Sequence, residues 1–139
     1  MINFRVLLLP ALLLSVLLLS TGASAIADDS SLSLADKAAL QAAMQMHVER
    51  QSIDGGLLYL DQESGEVRTL HPVTAHPMIL SMKPYYVLCF DFRDDQGKAV
   101  PVDYYMARNG NGYTVFHSAV ADRKLLRKLM QSGRVQRLQ

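Results

Sequence analysis

The feature that most constrains the fold is an alternation of side chains between Tyr85 and Met106. In a strand, successive side chains point to opposite faces of the sheet. Tyr86, Leu88, Phe90 and Phe92 share one face of the first half, and Val100, Val102, Tyr104 and Met106 share one face of the second. Asp94-Asp95-Gln96-Gly97-Lys98 supplies the turn between them, with Gly97 free to take a positive φ. A loop of that length pairs Phe92 with Val100, Phe90 with Val102, Leu88 with Tyr104 and Tyr86 with Met106. Every pair is apolar, so the register is self-consistent. The opposite face sets Cys89 across from Asp103 and Val87 across from Tyr105. Pro101 cannot donate to a ladder, which predicts an outward-pointing position or a bulge.

The flanking sequence extends this hairpin into a meander. Ser33-Leu34-Ala35-Asp36 resembles a capping box with Asp at the Glu/Gln position, and predicts a helix to about Arg50. Leu40, Met44 and Val48, with Ala43 and His47 beside them, form its apolar stripe. Residues 57–61 and 67–71 read as strands around a polar turn. His71 to Pro77 reads as a connection, because its two prolines interrupt a ladder. Residues 78–81 read as a short strand that turns through Met82-Lys83-Pro84 into the central hairpin. Asn109-Gly110-Asn111-Gly112 is a strong turn signal before a strand over residues 113–120. The register of that strand stays open. An odd-membered loop puts Phe116 and Val120 on the core face; a two-residue turn puts Val115 and His117 there. A last helix runs from Asp122, as N-cap, to about Ser132, where Gly133 stops it. The predicted fold class is therefore α+β: an N-terminal helix on an antiparallel meander of about six strands, with a short C-terminal helix. In outline this resembles cystatin-like and α+β-roll architectures, an analogy of fold that carries no function.

The first 25 residues stand apart. Arg5 is the only charge before Asp28, residues 6–19 are nearly all Leu, Val and Ala, and Ala23-Ser24-Ala25 offers small residues before a cleavage point. This is the layout of a secretory signal peptide, with a membrane anchor as the alternative. The expected organisation is a leader over 1–25, a flexible lead over 26–32 and a single domain over 33–139. The expected location is periplasmic or secreted, with no transmembrane segment after cleavage near Ala25. Without Arg5 the chain carries as many basic as acidic residues, which argues against general nucleic-acid binding. The charge is uneven: beyond Ala121 stand Arg123, Lys124, Arg127, Lys128, Arg134 and Arg137 against Asp122 alone. With one cysteine, no intramolecular disulfide forms, and a thiol packed in or beside the sheet is the simplest reading of Cys89.

His76-Pro77-Met78-Ile79, then Tyr86 to Asp94, Gly97 and Val102-Asp103-Tyr104-Tyr105, resemble a type of small exported bacterial protein of Gram-negative envelopes. The resemblance covers most of the chain beyond the leader. It implies an envelope location and carries no activity.

No nucleophile elbow, phosphate-binding glycine loop, HExxH or CxxC occurs, so no catalytic residues are assigned and no cofactor is expected. The sequence favours a non-enzymatic binding or accessory module of the cell envelope. Its expected contacts are Tyr85 and Tyr105 on an exposed sheet face, and Arg123, Arg127 and Lys128 on the last helix. Those cations suit an envelope protein or an anionic surface. The alternative is a small-ligand or copper-type metal protein using His71, His76 and Cys89. A second alternative is a small pocket enzyme using Asp91 and Asp103, although both carboxylates read as wet positions on the polar face. Cys89 and His117, on strands separated by a third, read as out of contact.

Overall fold

A computed structural model describes residues 32–138. The expected leader and nearly all of the expected flexible lead lie outside them. The elements are α1 (Leu34–Gln51), β1 (Ser52–Ile53), β2 (Gly56–Leu60), β3 (Val67–Met82), β4 (Tyr85–Asp94), β5 (Ala99–Asn109), β6 (Gly112–Val120), α2 (Lys124–Gln131) and β7 (Gln136–Arg137). The strands form one antiparallel sheet in the order β1-β2-β3-β4-β5-β6, with β7 added against β3. The α+β expectation holds. Among the described residues no helix is long and apolar enough to cross a membrane.

α1 begins where expected. The Ser33 hydroxyl accepts a hydrogen bond from the Asp36 backbone N–H at 3.0 Å and donates to the Asp36 carboxylate at 2.6 Å. Leu40, Ala43, Met44 and Val48 are buried along one stripe. They pack on Leu88, Phe90, Phe92, Val100, Val102, Tyr104 and Met106, the even face of the central hairpin. The register of that hairpin is the expected one, from Tyr86 opposite Met106 to Phe92 opposite Val100, with Cys89 opposite Asp103.

Three local expectations are corrected. Residues 67–82 form one long strand instead of two strands and a connection. β2 pairs only with the Val67–Leu70 end and β7 only with Leu80 and Ser81. Between them β3 has a ladder neighbour on the β4 side alone, so Pro72 and Pro77 fall on a local edge. Register shifts between Pro72 and Thr74 and between Ala75 and Ile79 absorb the missing donors. The last hairpin has a two-residue turn at Gly110-Asn111, which sets Met106 opposite Val115. A bulge at Phe116 then changes the parity, so Tyr105 faces His117 and Val102 faces Val120. Val115 and Val120 both reach the core, which neither simple register allowed. Finally, Asp122 does not occupy the N-cap. Arg123 does, and the Asp122 carboxylate accepts from the Lys124 N–H at 2.9 Å.

α2 crosses the odd face of the sheet. Leu126 and Leu129, with Val135 behind them, pack on Leu80, Val87 and Tyr105. The face expected to be open therefore carries a second, smaller core. Tyr105 is 3% exposed and is not available as a contact residue.

Candidate functional site

Beside this second core lies a group of polar side chains from four separate segments. Their positions follow from the sheet. Cys89 and Asp91 project from the odd face of β4, and Asp103 from the same face of β5 directly across from Cys89. His76 comes from the irregular stretch of β3, where the ladder is interrupted between Ala75 and Ile79. Gln41 of α1 donates to the His76 carbonyl at 2.9 Å and fixes that backbone from the other side. Arg123 comes from the turn before α2, where Ala121 sits at φ +55° and its N–H donates to the Pro101 carbonyl.

The geometry is close. His76 Nε2 and an Asp91 carboxylate oxygen are 2.7 Å apart, and each side chain is about two-fifths exposed. The donor atoms of His76, Cys89 and Asp91 all lie within 4.8 Å of one another. Beneath them Arg123 Nη2 donates to Cys89 Sγ and, at 3.1 Å, to Asp103 Oδ1. Asp103 is 1% exposed, and its second oxygen, Oδ2, has no hydrogen-bond partner. The Arg123 Nε and the Tyr105 hydroxyl are also buried without one. A buried polar atom without a partner carries a desolvation cost, which the Arg123–Asp103 ion pair partly offsets.

Electrostatics sharpen the picture. Burial pushes the Asp103 carboxyl up, and the Arg123 guanidinium opposes that shift. Burial, with the Asp103 carboxylate next, pushes the Cys89 thiol up to about 12, again against Arg123. At neutral pH Cys89 is a thiol and a poor nucleophile. The site is better suited to binding through these atoms than to covalent chemistry by Cys89. An imidazole nitrogen, a sulfur and a carboxylate oxygen make a mixed donor set of borderline softness, with the exposed sides of His76 and Asp91 leaving an approach from solvent.

The other sequence candidates scatter. His71 hydrogen-bonds Asp95 at 2.8 Å in an exposed pair and is not one of the three clustered donors. Its place in the expected ligand set is taken by Asp91. Tyr85 is 41% exposed but leans edge-on against Phe116. Arg123 turns inward to Asp103 and leaves the expected docking set. Arg127 and Lys128 stay exposed. Asp103, read as wet, is buried, with the Arg123 guanidinium against it. The pairing of Cys89 with Asp103 was visible in the strand alternation. The approach of His76 was not, because it depends on the bulges in β3. No family model, curated sequence or solved structure matches the chain, so its chemistry is argued from its own residues.

Proposed function

We propose that the protein is an exported binding module that holds a transition-metal ion of borderline softness through His76 Nε2, Cys89 Sγ and the Asp91 carboxylate. The observation that carries this reading is the convergence of those three donor atoms within 4.8 Å. Ligand bonds of about 2.0–2.3 Å in a tetrahedral shell set donors roughly 3.3–3.7 Å apart, so small side-chain adjustments suffice. Binding would displace the proton on Cys89 and would use His76 through Nε2, with the ring hydrogen on Nδ1. The Arg123 guanidinium favours the resulting thiolate. Asp103 holds Arg123 in place, as outer groups around metal ligands do. The leader-like residues 1–25 support export, and the surrounding fold acts as the scaffold.

Titration of the metal-free protein with Zn²⁺ or Cu(I), followed by native mass spectrometry and calorimetry, tests this. One ion per chain is expected, with affinity falling as the pH is lowered because binding displaces protons. His76→Ala, Cys89→Ser and Asp91→Asn should each weaken binding by roughly tenfold or more, a scale typical of lost metal-site partners. His71→Ala should leave affinity unchanged. Equal affinity in the wild type and the Cys89→Ser protein would remove the reading.

A further inference from the structure

The outward side of α2 and the tail after it form the most uneven charge distribution on the molecule. Lys124, Arg127, Lys128, Arg134 and Arg137 are all exposed, and no acidic residue follows Asp122. Three arginines elsewhere are paired with acids: Arg68 with Asp61 and Glu66, Arg108 with Asp36, and Arg123 with Asp103. Among the described residues none of these five cations forms an ion pair. Their backbone is nevertheless fixed. Leu126, Leu129 and Val135 are buried against the sheet, and β7 pairs with Leu80 and Ser81 of β3. The cations are thus displayed on a rigid platform. At one end of it lies an open cleft of about 330 Å³ lined by Ser81, Met82, Lys83, Gly133, Arg134 and Gln136. Arg134 joins this cleft to the cationic face of the helix.

We propose that this face docks on a membrane surface bearing anionic phospholipid headgroups, with one phosphate entering the cleft beside Arg134. Charge complementarity selects that partner. The cations follow one another with no acid between them, which suits a continuous array of phosphates. An acidic protein partner would require a desolvated apolar centre with aromatic anchors. Here the exposed apolar side chains of the helix are Leu125 and Met130, which flank its buried stripe on opposite shoulders. No aromatic residue occurs beyond His117. A polar, cation-lined cleft next to a cationic helix therefore fits a headgroup better than a peptide. Such attraction is electrostatic and weakens as salt screens it.

The test is vesicle sedimentation with the purified protein. Phosphatidylcholine vesicles are compared with vesicles containing about 30% phosphatidylglycerol, at about 0.05 M and about 0.3 M salt. Binding is expected only to the anionic vesicles, with roughly a tenfold loss at the higher salt. Arg127→Glu with Lys128→Glu should abolish it while thermal unfolding stays unchanged, since both side chains are exposed and unpaired. Arg134→Gln reports on the cleft and should weaken binding severalfold. Absence of binding to anionic vesicles, or binding that survives the charge reversal, overturns the proposal. Capture by a polyglutamate peptide in preference to vesicles overturns it too, in favour of an acidic protein. Metal affinity at His76, Cys89 and Asp91 plays no part in these outcomes.

Discussion

The two faces of the sheet are built to different specifications. On the even face α1 covers a continuous apolar layer running from Leu40 and Met44 through Phe90 and Phe92 to Val102 and Met106, most of it fully buried. On the odd face α2, with eight residues, packs on a smaller group of Leu80, Val87 and Tyr105, with Met82 and Ala119 at its margin. Beside that small patch lies the cluster of His76, Cys89, Asp91, Asp103 and Arg123. Both faces belong to the same strands, and β4 and β5 contribute to each through alternate residues. The difference teaches that stability and chemistry are separated by the pleat. The even face supplies the burial that holds the sheet, which lets the odd face keep an ion pair and unpartnered polar atoms that would otherwise destabilise a small domain.

Truncating a side chain on each face gives the largest test of this division. Phe92→Ala on the even face should cost about 4 kcal/mol, the range for a large buried aromatic. Leu129→Ala on α2 should cost about 2 kcal/mol, the low end for a buried leucine, because a short surface helix can settle into the space. Urea unfolding curves measure both. Equal losses would mean that α2 is as integral to the fold as α1, and the division would fail.

The next test concerns charge on the odd face. Arg123→Ala leaves the buried Asp103 carboxylate without its cation. Breaking a buried pair costs about 3–5 kcal/mol, but Arg123 is more than a third exposed, so about 2 kcal/mol is expected at neutral pH. The effect has a definite sign with pH. Burial raises the Asp103 carboxyl, so the folded state holds that proton more tightly than the unfolded chain does. Its contribution is most favourable below the ordinary carboxylate value of 3.8 and is lost as pH rises through the raised value. Removing the opposing guanidinium enlarges that loss, so the penalty of Arg123→Ala should shrink as the pH is lowered. Asp36, on the α1 side, has the opposite sign. Hydrogen bonds from Ser33, Tyr113 and Arg108 lower it to about 2, so its contribution is present above 3.8 and fades as pH falls towards 2. Because Asp36 is common to both proteins, the difference between wild type and Arg123→Ala isolates Asp103. A penalty independent of pH would show that Asp103 is not the group left exposed to the loss.

What was legible in the sequence follows the same division. The even face was read residue by residue, because period-two alternation and the helical stripe are local patterns that burial enforces. The turn residues Gly97 and Gly110 were equally plain. The odd face was misread, because whether it is wet depends on where α2 lands, and the amphipathic pattern of α2 does not say which sheet surface receives it. That is why Tyr105 and Asp103 were expected in solvent and Arg123 among the outward cations. The long β3 was broken in two because a proline argues against a strand unless the strand is locally an edge, a fact of pairing and not of composition. The bulge at Phe116 left no signal comparable with a glycine. His76 meets Cys89 and Asp91 through those irregularities, so the sequence named His76 and Cys89 but missed Asp91 as their companion and added His71, which bonds Asp95 instead.

The smallest effect reads the thiol itself. With Cys89 pushed up to about 12 against an ordinary 9.0, its thiolate population at pH 8 falls about a thousandfold. A more basic thiolate is intrinsically more reactive, and that recovers roughly twentyfold, so alkylation by iodoacetamide should run about fiftyfold slower than for a free thiol. The variants then move the rate in opposite directions by a few fold. Asp103→Asn removes a neighbouring negative charge and should speed the reaction, whereas Arg123→Met removes the stabilising cation and should slow it. Rates measured from pH 7 to pH 10 separate charge from access. If both variants react faster by the same factor, the barrier is the cover provided by α2 and not the field of the ion pair. Opposite shifts would establish that the buried pair on the odd face sets the proton affinity of Cys89, the step any metal must overcome to reach its sulfur.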